Sequence, residues 1–479
     1  MLDYRALALR KIASIAPRYL PFVDVATKDV PLSRLLRLSL FQVTVGMALV
    51  LLVGTLNRVM IVELNVPASL VAGMLALPLL FAPLRTFIGF KSDTHRSALG
   101  WRRVPFIWKG TMYQFGGFAI MPFALLVLSG YGEAFDAPRW IGLSSAALAF
   151  LLVGAGLHMV QTVGLALATD LVKTEDQPKV VGLMYVMLLV GMVVSALIYG
   201  VFLEDYSPGR LIQVIQGTAV VTIALNLIAL WKQEARDRSR AAAMEAAPTT
   251  AFTDALRELI ARPGTLRLLI VIGLGTFGFG MADVLLEPYG GQALGFSVAQ
   301  TTKLTALLAG GTLIGFAIAS RLLGTGGNPA RLGMVGAAIG IPGFGAIILS
   351  SSIMGPAAFI AGTIATGLGA GLFGHATLTA TIRKAPSEQI GLSLGAWGAV
   401  QATCAGIGVA LAGLVRDVLV GLEAFSGLEA HTPYNVVFMI EIVFLALAIF
   451  VAIPLAAHRI RISGVQSAPV PQNNTVEAP

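Results

Sequence analysis

The chain has 479 residues, of which 56% are hydrophobic and only 12% charged, and its mean hydropathy is +0.82. A soluble globular chain carries roughly 25% charged residues, so too little polar material is present to cover a water-facing surface. The composition excludes a soluble enzyme, a disordered protein and a nucleic-acid-binding module, and leaves a polytopic membrane protein.

In chain order, residues 1–37 carry seven basic residues and no cleavable apolar core, so they do not read as a secretory signal. Within them, Leu2 to Leu20 places Leu9, Ile12, Ala16 and Tyr19 on one face, which reads as an interfacial helix or as a solvated basic arm. A helix needs about 20 apolar residues to cross the hydrocarbon core. Stretches free of Asp, Glu, Lys and Arg give six such spans over 38–57, 64–84, 110–132, 140–169, 180–203 and 211–231. Residues 232–264 form a polar linker, in which Phe252 to Ile260 reads as a short amphipathic helix with Thr253 as its N-cap. Six further spans follow: 266–287, 297–320, two within 332–382 with a break between Ser350 and Pro356, 389–415 and 434–457. The tail, 459–479, is polar and reads as disordered. The expectation is an all-α membrane protein of twelve transmembrane helices, with bundles over 38–231 and 265–458.

The net charge of +8 is a topology signal rather than a sign of nucleic acid. Of the 33 Lys and Arg residues, 25 fall in the termini and in loops on one side and 3 (Arg139, Arg210 and Arg416) on the other. Under the positive-inside rule both termini are cytoplasmic. The basic juxtamembrane residues also suit anionic lipid headgroups. Trp101, Trp108, Trp140 and Trp231 fall near span ends, as an interface belt does.

The two halves read as parallel repeats about an axis along the membrane normal. Span four ends GLHMVQTVGLALATD and span ten ends GLFGHATLTATI, each with an intramembrane His and a Thr-rich exit. Span one carries Gly54-Thr55-Leu56-Asn57-Arg58 and then Glu63; span seven carries Gly280-Met281-Ala282-Asp283 and then Glu287. The loop after span two, with Gly89, Asp93, Arg96, Gly100, Arg102 and Arg103, resembles the major facilitator signature. It departs from that signature by residues inserted before Gly100, and the second-half counterpart SRLLGTGGNPARLG lacks the acidic residue. The fold expectation is therefore major-facilitator-like, with two six-helix pseudo-repeats.

Three runs narrow the resemblance: RLSLFQVTVGMALVLLVGTLNRVMIVEL, GFKSDTHRSALGWRRVPFIW and LATDLVKTEDQPKVVGLMY. With them the chain, from about Leu20 to Ile462, resembles the PucC/LhaA family of phototrophic bacteria, with a lean toward its LhaA branch. The resemblance implies an assembly factor for light-harvesting complexes, the core antenna (LH1) favoured over the peripheral one (LH2). It implies binding of bacteriochlorophyll, with carotenoid as a second pigment, and delivery to nascent antenna polypeptides. Reaction-centre or pigment-synthesis enzymes and the insertion machinery are the further partners, and a bacterial inner, intracytoplasmic membrane is the location. The alternatives are a proton-coupled secondary transporter of a small amphipathic solute and a pigment-free membrane chaperone.

Polar groups within spans are costly and lean functional. His158 and His375 are the histidines inside spans, each preceded by glycines that would offer a flat surface. Given the resemblance, they are the candidate axial ligands to a chlorin magnesium; the alternative is a histidine hydrogen-bonded between helices. Arg58, Glu63, Asp283 and Glu287 fall toward the outer ends of spans one and seven, with Glu63 and Glu287 close enough to the exit to be solvated. Arg58 and Asp283 could form an ion-paired lock between the halves, while Asp283 or Glu287 would be the coupling group of a transporter. Glu441 lies about two turns inside span twelve and needs a partner or an aqueous cavity. Asp93 with Arg102 and Arg103 reads as a structural tie between helix ends. Gly311-x-x-x-Gly315 and Gly367-x-x-x-Gly371 allow close helix approach. Gly273 to Gly278 matches a dinucleotide fingerprint in letters alone, with no preceding strand. The lone Cys404 forms no internal disulfide or metal cluster. With no Walker A loop, zinc-ligand spacing or hydrolase elbow, the chain does not read as an enzyme.

Overall fold

The computed structural model describes residues 30–80, 88, 92, 101, 103–130, 137–173, 177–234, 257, 259–384, 390–422 and 429–457. The motif residues Gly89, Asp93, Arg96, Gly100 and Arg102, residues 252–256 and 258 of the linker's amphipathic segment, residues 1–29 and residues 458–479 lie outside them. The first half holds α1 (Leu32–Glu63), α2 (Ala68–Leu80), α3 (Val104–Ser129), α4 (Arg139–Asp170), α5 (Gln177–Phe202) and α6 (Pro208–Leu230). The second holds α7 (Thr265–Gly280), α8 (Val298–Gly324), α9 (Pro329–Leu349), α10 (Gly355–Lys384), α11 (Ile390–Gly421) and α12 (Thr432–Ala457).

Among the described residues, ten stretches are long and apolar enough to cross a bilayer. The one over Pro329–Lys384 divides into α9 and α10 at a π-helical turn, Ser350–Met354, and at Gly355 with φ 68°, inside the break expected from the sequence. Ala68–Leu80 is too short by itself, so twelve crossings are reached only by including α2. Helix starts follow local chemistry. The Ser297 hydroxyl and Gln300 form a capping box on α8, and the Asn328 side chain accepts from the N–H groups of Ala330 and Arg331 on α9.

Two helices depart from regular geometry. α1 widens into π-helical turns over Val50–Leu56 and Val59–Glu63. α7, expected to run as one span over 266–287, stops at Gly280. It passes through a 3-10 turn, Met281–Val284, and resumes as a short segment, Leu286–Leu294. Such irregularities inside spans are tolerated only where protein or an internal cavity satisfies the freed backbone groups.

Lipid tails are as apolar as leucine, so helices associate through close packing and polar links. The two small-residue motifs read from the sequence face each other. A Cβ on Gly311 would lie 2.5 Å from the Ile364 carbonyl oxygen, and one on Gly371 would press on the backbone of Thr312 and Phe316. α8 and α10 therefore touch backbone to backbone.

One end of the bundle, here called proximal, gathers the start of α1 and the ends of α6, α8, α10 and α12. There the Arg34 guanidinium donates to the Gln233 carbonyl at 2.8 Å, Arg103 Nε donates to Asp170 at 3.1 Å, and Arg383 donates to the Leu323 carbonyl at 2.7 Å. Each of these ties stays within one half. Arg103 secures helix ends through Asp170 and the Ser92 hydroxyl, while its own N–H donates to Glu234.

Overpacking a tight contact costs about 1–3 kcal/mol. Gly371→Val should lower the thermal unfolding temperature of the detergent-solubilised protein clearly. Gly345→Val, where a Cβ meets nothing within 4 Å, should leave it close to unchanged.

Candidate functional site

The opposite, distal end is where the halves are tied together. The distorted part of α1 faces the broken part of α7 there. Asn57 Nδ2 donates to the Val284 carbonyl at 2.8 Å, and the Thr55 and Thr302 hydroxyls lie 3.1 Å apart. Arg58 Nη2 donates to the Phe296 carbonyl at 3.0 Å. At the flank, the Asp417 carboxylate of α11 accepts from the N–H of Ser69 on α2 at 2.7 Å, and Lys303 of α8 pairs with Glu204 at 3.2 Å. Arg416 donates to Gln292, which also accepts from the Tyr434 hydroxyl at 2.6 Å.

The sequence-picked polar residues converge on this seam, with partners that differ from expectation. Arg58 does not lock onto Asp283: its guanidinium is spent on Glu63 and on the Phe296 carbonyl. Glu63 is 37% exposed at its side chain, as a group near the exit should be. Glu287 is the opposite of solvated, at 3% exposure, because Gly54 lets α1 close over it. Its Oε1 accepts from the Thr305 hydroxyl, and its Oε2 is enclosed without a partner. Tyr206, in the turn after α5, joins the cluster; burial, with Glu63 nearby, pushes its phenol up to about 12.

Glu441 receives the partner it needed. Its Oε1 accepts from the Ala282 N–H at 2.6 Å, inside the 3-10 turn that interrupts α7. A donor freed by the helix break is thereby satisfied from α12. Asp283, the next residue, is exposed although its turn is packed against α1, α11 and α12 and both its neighbours are buried. Its carboxylate therefore faces space inside the bundle, beneath the closed distal seam. Asp283 is thus an accessible carboxylate beside the α1–α7 seam.

His158 and His375 sit apart from this seam, one in each half. His375 lies on the face of α10 that carries Gly367 and Gly371, toward α8, with its ring centroid 4.1 Å from that of Phe316. It is partly exposed, and its enclosed Nδ1 has no hydrogen-bond partner. It is therefore not a hydrogen-bonded tie between helices. His158 is partly exposed on α4 and already engaged with a neighbouring group.

Sequence reading missed Thr302 and Thr305, Gln292 and the Asp417 tie. The spacing of Thr301, Thr302 and Thr305 on one helical turn was the available signal for the first two.

The fold is that of a major-facilitator-like membrane protein. It is similar to a bacterial homologue of the iron transporter ferroportin in an inward-facing state, with TM-score 0.65 and 14% identity, over 89% of this chain and 99% of that one. The family model described as PUCC protein matches residues 55–460, and the chain belongs to that family. It is 69% identical to Protein PucC of Rhodobacter capsulatus, over 95% of this chain and 99% of that one. It is also 28% identical to a Rhodobacter capsulatus protein called bacteriochlorophyll synthase 44.5 kDa chain, over 82% and 90% of the two. The family description does not separate the core-antenna branch from the peripheral one.

Charge-assisted hydrogen bonds contribute about 1.5–3 kcal/mol, so Arg58→Ala should loosen the seam. In a Cys404→Ser background, Thr302→Cys places a thiol in it. Its labelling by a membrane-impermeant reagent should rise about tenfold or more when Arg58→Ala is added.

Proposed function

We propose that this protein is an assembly factor for bacterial light-harvesting complexes, which binds bacteriochlorophyll within the membrane and hands it to nascent antenna polypeptides. The observation that carries this reading is membership of the PUCC family across residues 55–460, beside a relative whose name places it with bacteriochlorophyll. Carotenoid is the second pigment of the reading, and pigment-synthesis enzymes, reaction-centre components and the insertion machinery are its further partners. The protein is not an enzyme in this account. It sits in the bacterial inner membrane with both termini and the basic proximal loops in the cytoplasm, which the skew of Lys and Arg supports.

The residues present fit the pigment. A chlorin-bound magnesium takes one axial donor, commonly an imidazole nitrogen. His375 offers an imidazole not spent on a structural hydrogen bond, one turn beyond the glycine contact that α8 fills and next to Gly374, where a Cβ would meet nothing within 4 Å, with the Phe316 ring to hold it in place. His158 remains a ligand candidate, but it has a neighbour to give up first. When bound, the pigment supplies light absorption; the chain's part is to hold it out of water and release it.

A second reading has its own observation. The accessible Asp283 carboxylate, beside the break in a transmembrane helix, is where a secondary transporter would place a coupling or substrate-binding group. Solute flux in vesicles that collapses in Asp283→Asn would favour it over pigment delivery.

Purified from a pigmented host, the protein should carry a far-red chlorin absorption band. His375→Ala should cut retained pigment about tenfold, equivalent to about 1.4 kcal/mol, and His158→Ala should cut it less. A protein without the band at any stoichiometry leaves only a pigment-free chaperone role.

A further inference from the structure

Glu441 is the most deeply enclosed of the acidic and basic side chains described at the polar seam. None of its area is accessible. Oε1 accepts from the Ala282 N–H, while Oε2 is enclosed with no hydrogen-bond partner. The elements packed against α12 are α7 with its 3-10 turn, α9 and α11. On α7 the ionisable groups are Asp283, beside the bonded Ala282, and Arg267 at the far proximal end; Glu287 follows the break and is bonded to Thr305. On α9 the one charged residue is Arg331, in the first proximal turn. On α11 they are the Cys404 thiol, which lies against Gly273, and Arg416 and Asp417 at the distal end, where they are bonded to each other, to Gln292 and to Ser69. Among the described residues, the charged group that interacts with Glu441 is therefore of its own sign, Asp283.

An ionised carboxylate so enclosed, with no cation, costs several kcal/mol even after relaxation. A carboxylic acid costs far less, and its proton has one place to sit, the oxygen that receives no donor. The proton also has a route. Asp283 is one residue beyond the N–H that Glu441 accepts from, and it is open to the interior.

We propose that Glu441 and Asp283 form a proton-binding site at the break in α7, in which Glu441 holds the proton while the distal seam is closed and Asp283 passes it to and from water in the interior. In the release step the O–H bond on Glu441 Oε2 breaks and one forms on the Asp283 carboxylate, which gives the proton to water. The net change is one negative charge gained by Glu441, at a site touching the α7 backbone, and one proton gained by water beside Asp283, whose own charge ends as it began. That charge acts on the one span whose path is already interrupted, so the bend of α7, and with it the seam that Asn57 and Arg58 make to Val284 and Phe296, responds to proton occupancy. The site stands apart from the pigment reading and requires neither histidine.

Infrared difference spectroscopy of the full chain in lipid bilayers at neutral pH tests this directly. The native protein should show a protonated-carboxyl carbonyl band that is lost in Glu441→Gln, which keeps an oxygen for the Ala282 N–H. Glu441→Asp, which keeps a carboxyl, should shift the band rather than remove it. In Asp283→Asn the band should persist, but its exchange in heavy water should slow about a hundredfold. A band that neither Glu441 variant alters means the group is ionised and overturns the proposal. Unchanged exchange in Asp283→Asn overturns the relay.

Discussion

A backbone N–H or carbonyl inside hydrocarbon has no water to turn to, so every departure from a regular helix must be met by protein or by an internal cavity. In this molecule that constraint selects the site. α1 widens at Val50–Leu56 and α7 breaks at Met281–Val284, and the polar side chains gather there because the freed backbone groups call for them. Glu441 reaches Ala282, Asn57 reaches Val284, and Arg58 reaches Phe296. Side chains that first read as a scatter of intramembrane charges are partners of particular main-chain atoms.

The rest of the architecture serves the same arrangement. Glycines bring α8 and α10 together backbone to backbone, and Gly54 lets α1 close over Glu287. Among the described residues, the proximal ties named above stay within a half, whereas Asn57, Arg58, Asp417 and Lys303 each tie one half to the other at the distal end. The result is a seam at one end and, beneath it, an accessible carboxylate in the interior. In the proposed function the same shape gives a membrane-embedded holder that is closed on one side. His375 is seated against Phe316, one turn beyond the glycines that α8 covers, and none of the seam's ties involves it. A flat apolar pigment held there and a proton held at Glu441 would occupy separate parts of the molecule.

Much of this was legible in the sequence. Apolar run lengths gave the spans, and serine and glycine marked the break between α9 and α10. The two small-residue motifs proved to be the two sides of one interface. Arg58, Glu63, Asp283, Glu287 and Glu441 stood out because charge is rare in these spans. Their pairing was not legible. Arg58 chose Glu63, five residues away on its own chain, and a carbonyl, where an oppositely charged residue across the seam had been expected. Glu287 looked exit-proximal by counting, but the count assumed a continuous helix, and the break in α7 carries it under Gly54 instead. A main-chain N–H such as that of Ala282 has no sequence signature at all, so Glu441 could be flagged as needing a partner without that partner being named.

The central claim is that the chain receives bacteriochlorophyll and gives it to antenna polypeptides. The most direct measurement places the pigment-loaded protein in vesicles with unpigmented antenna polypeptides and follows the absorption spectrum in time. The account predicts that the far-red band moves from its position in the loaded protein to that of the assembled antenna, and faster than when free pigment is added alone. Pigment that stays on the protein, or an antenna that forms at the same rate without it, would contradict the account.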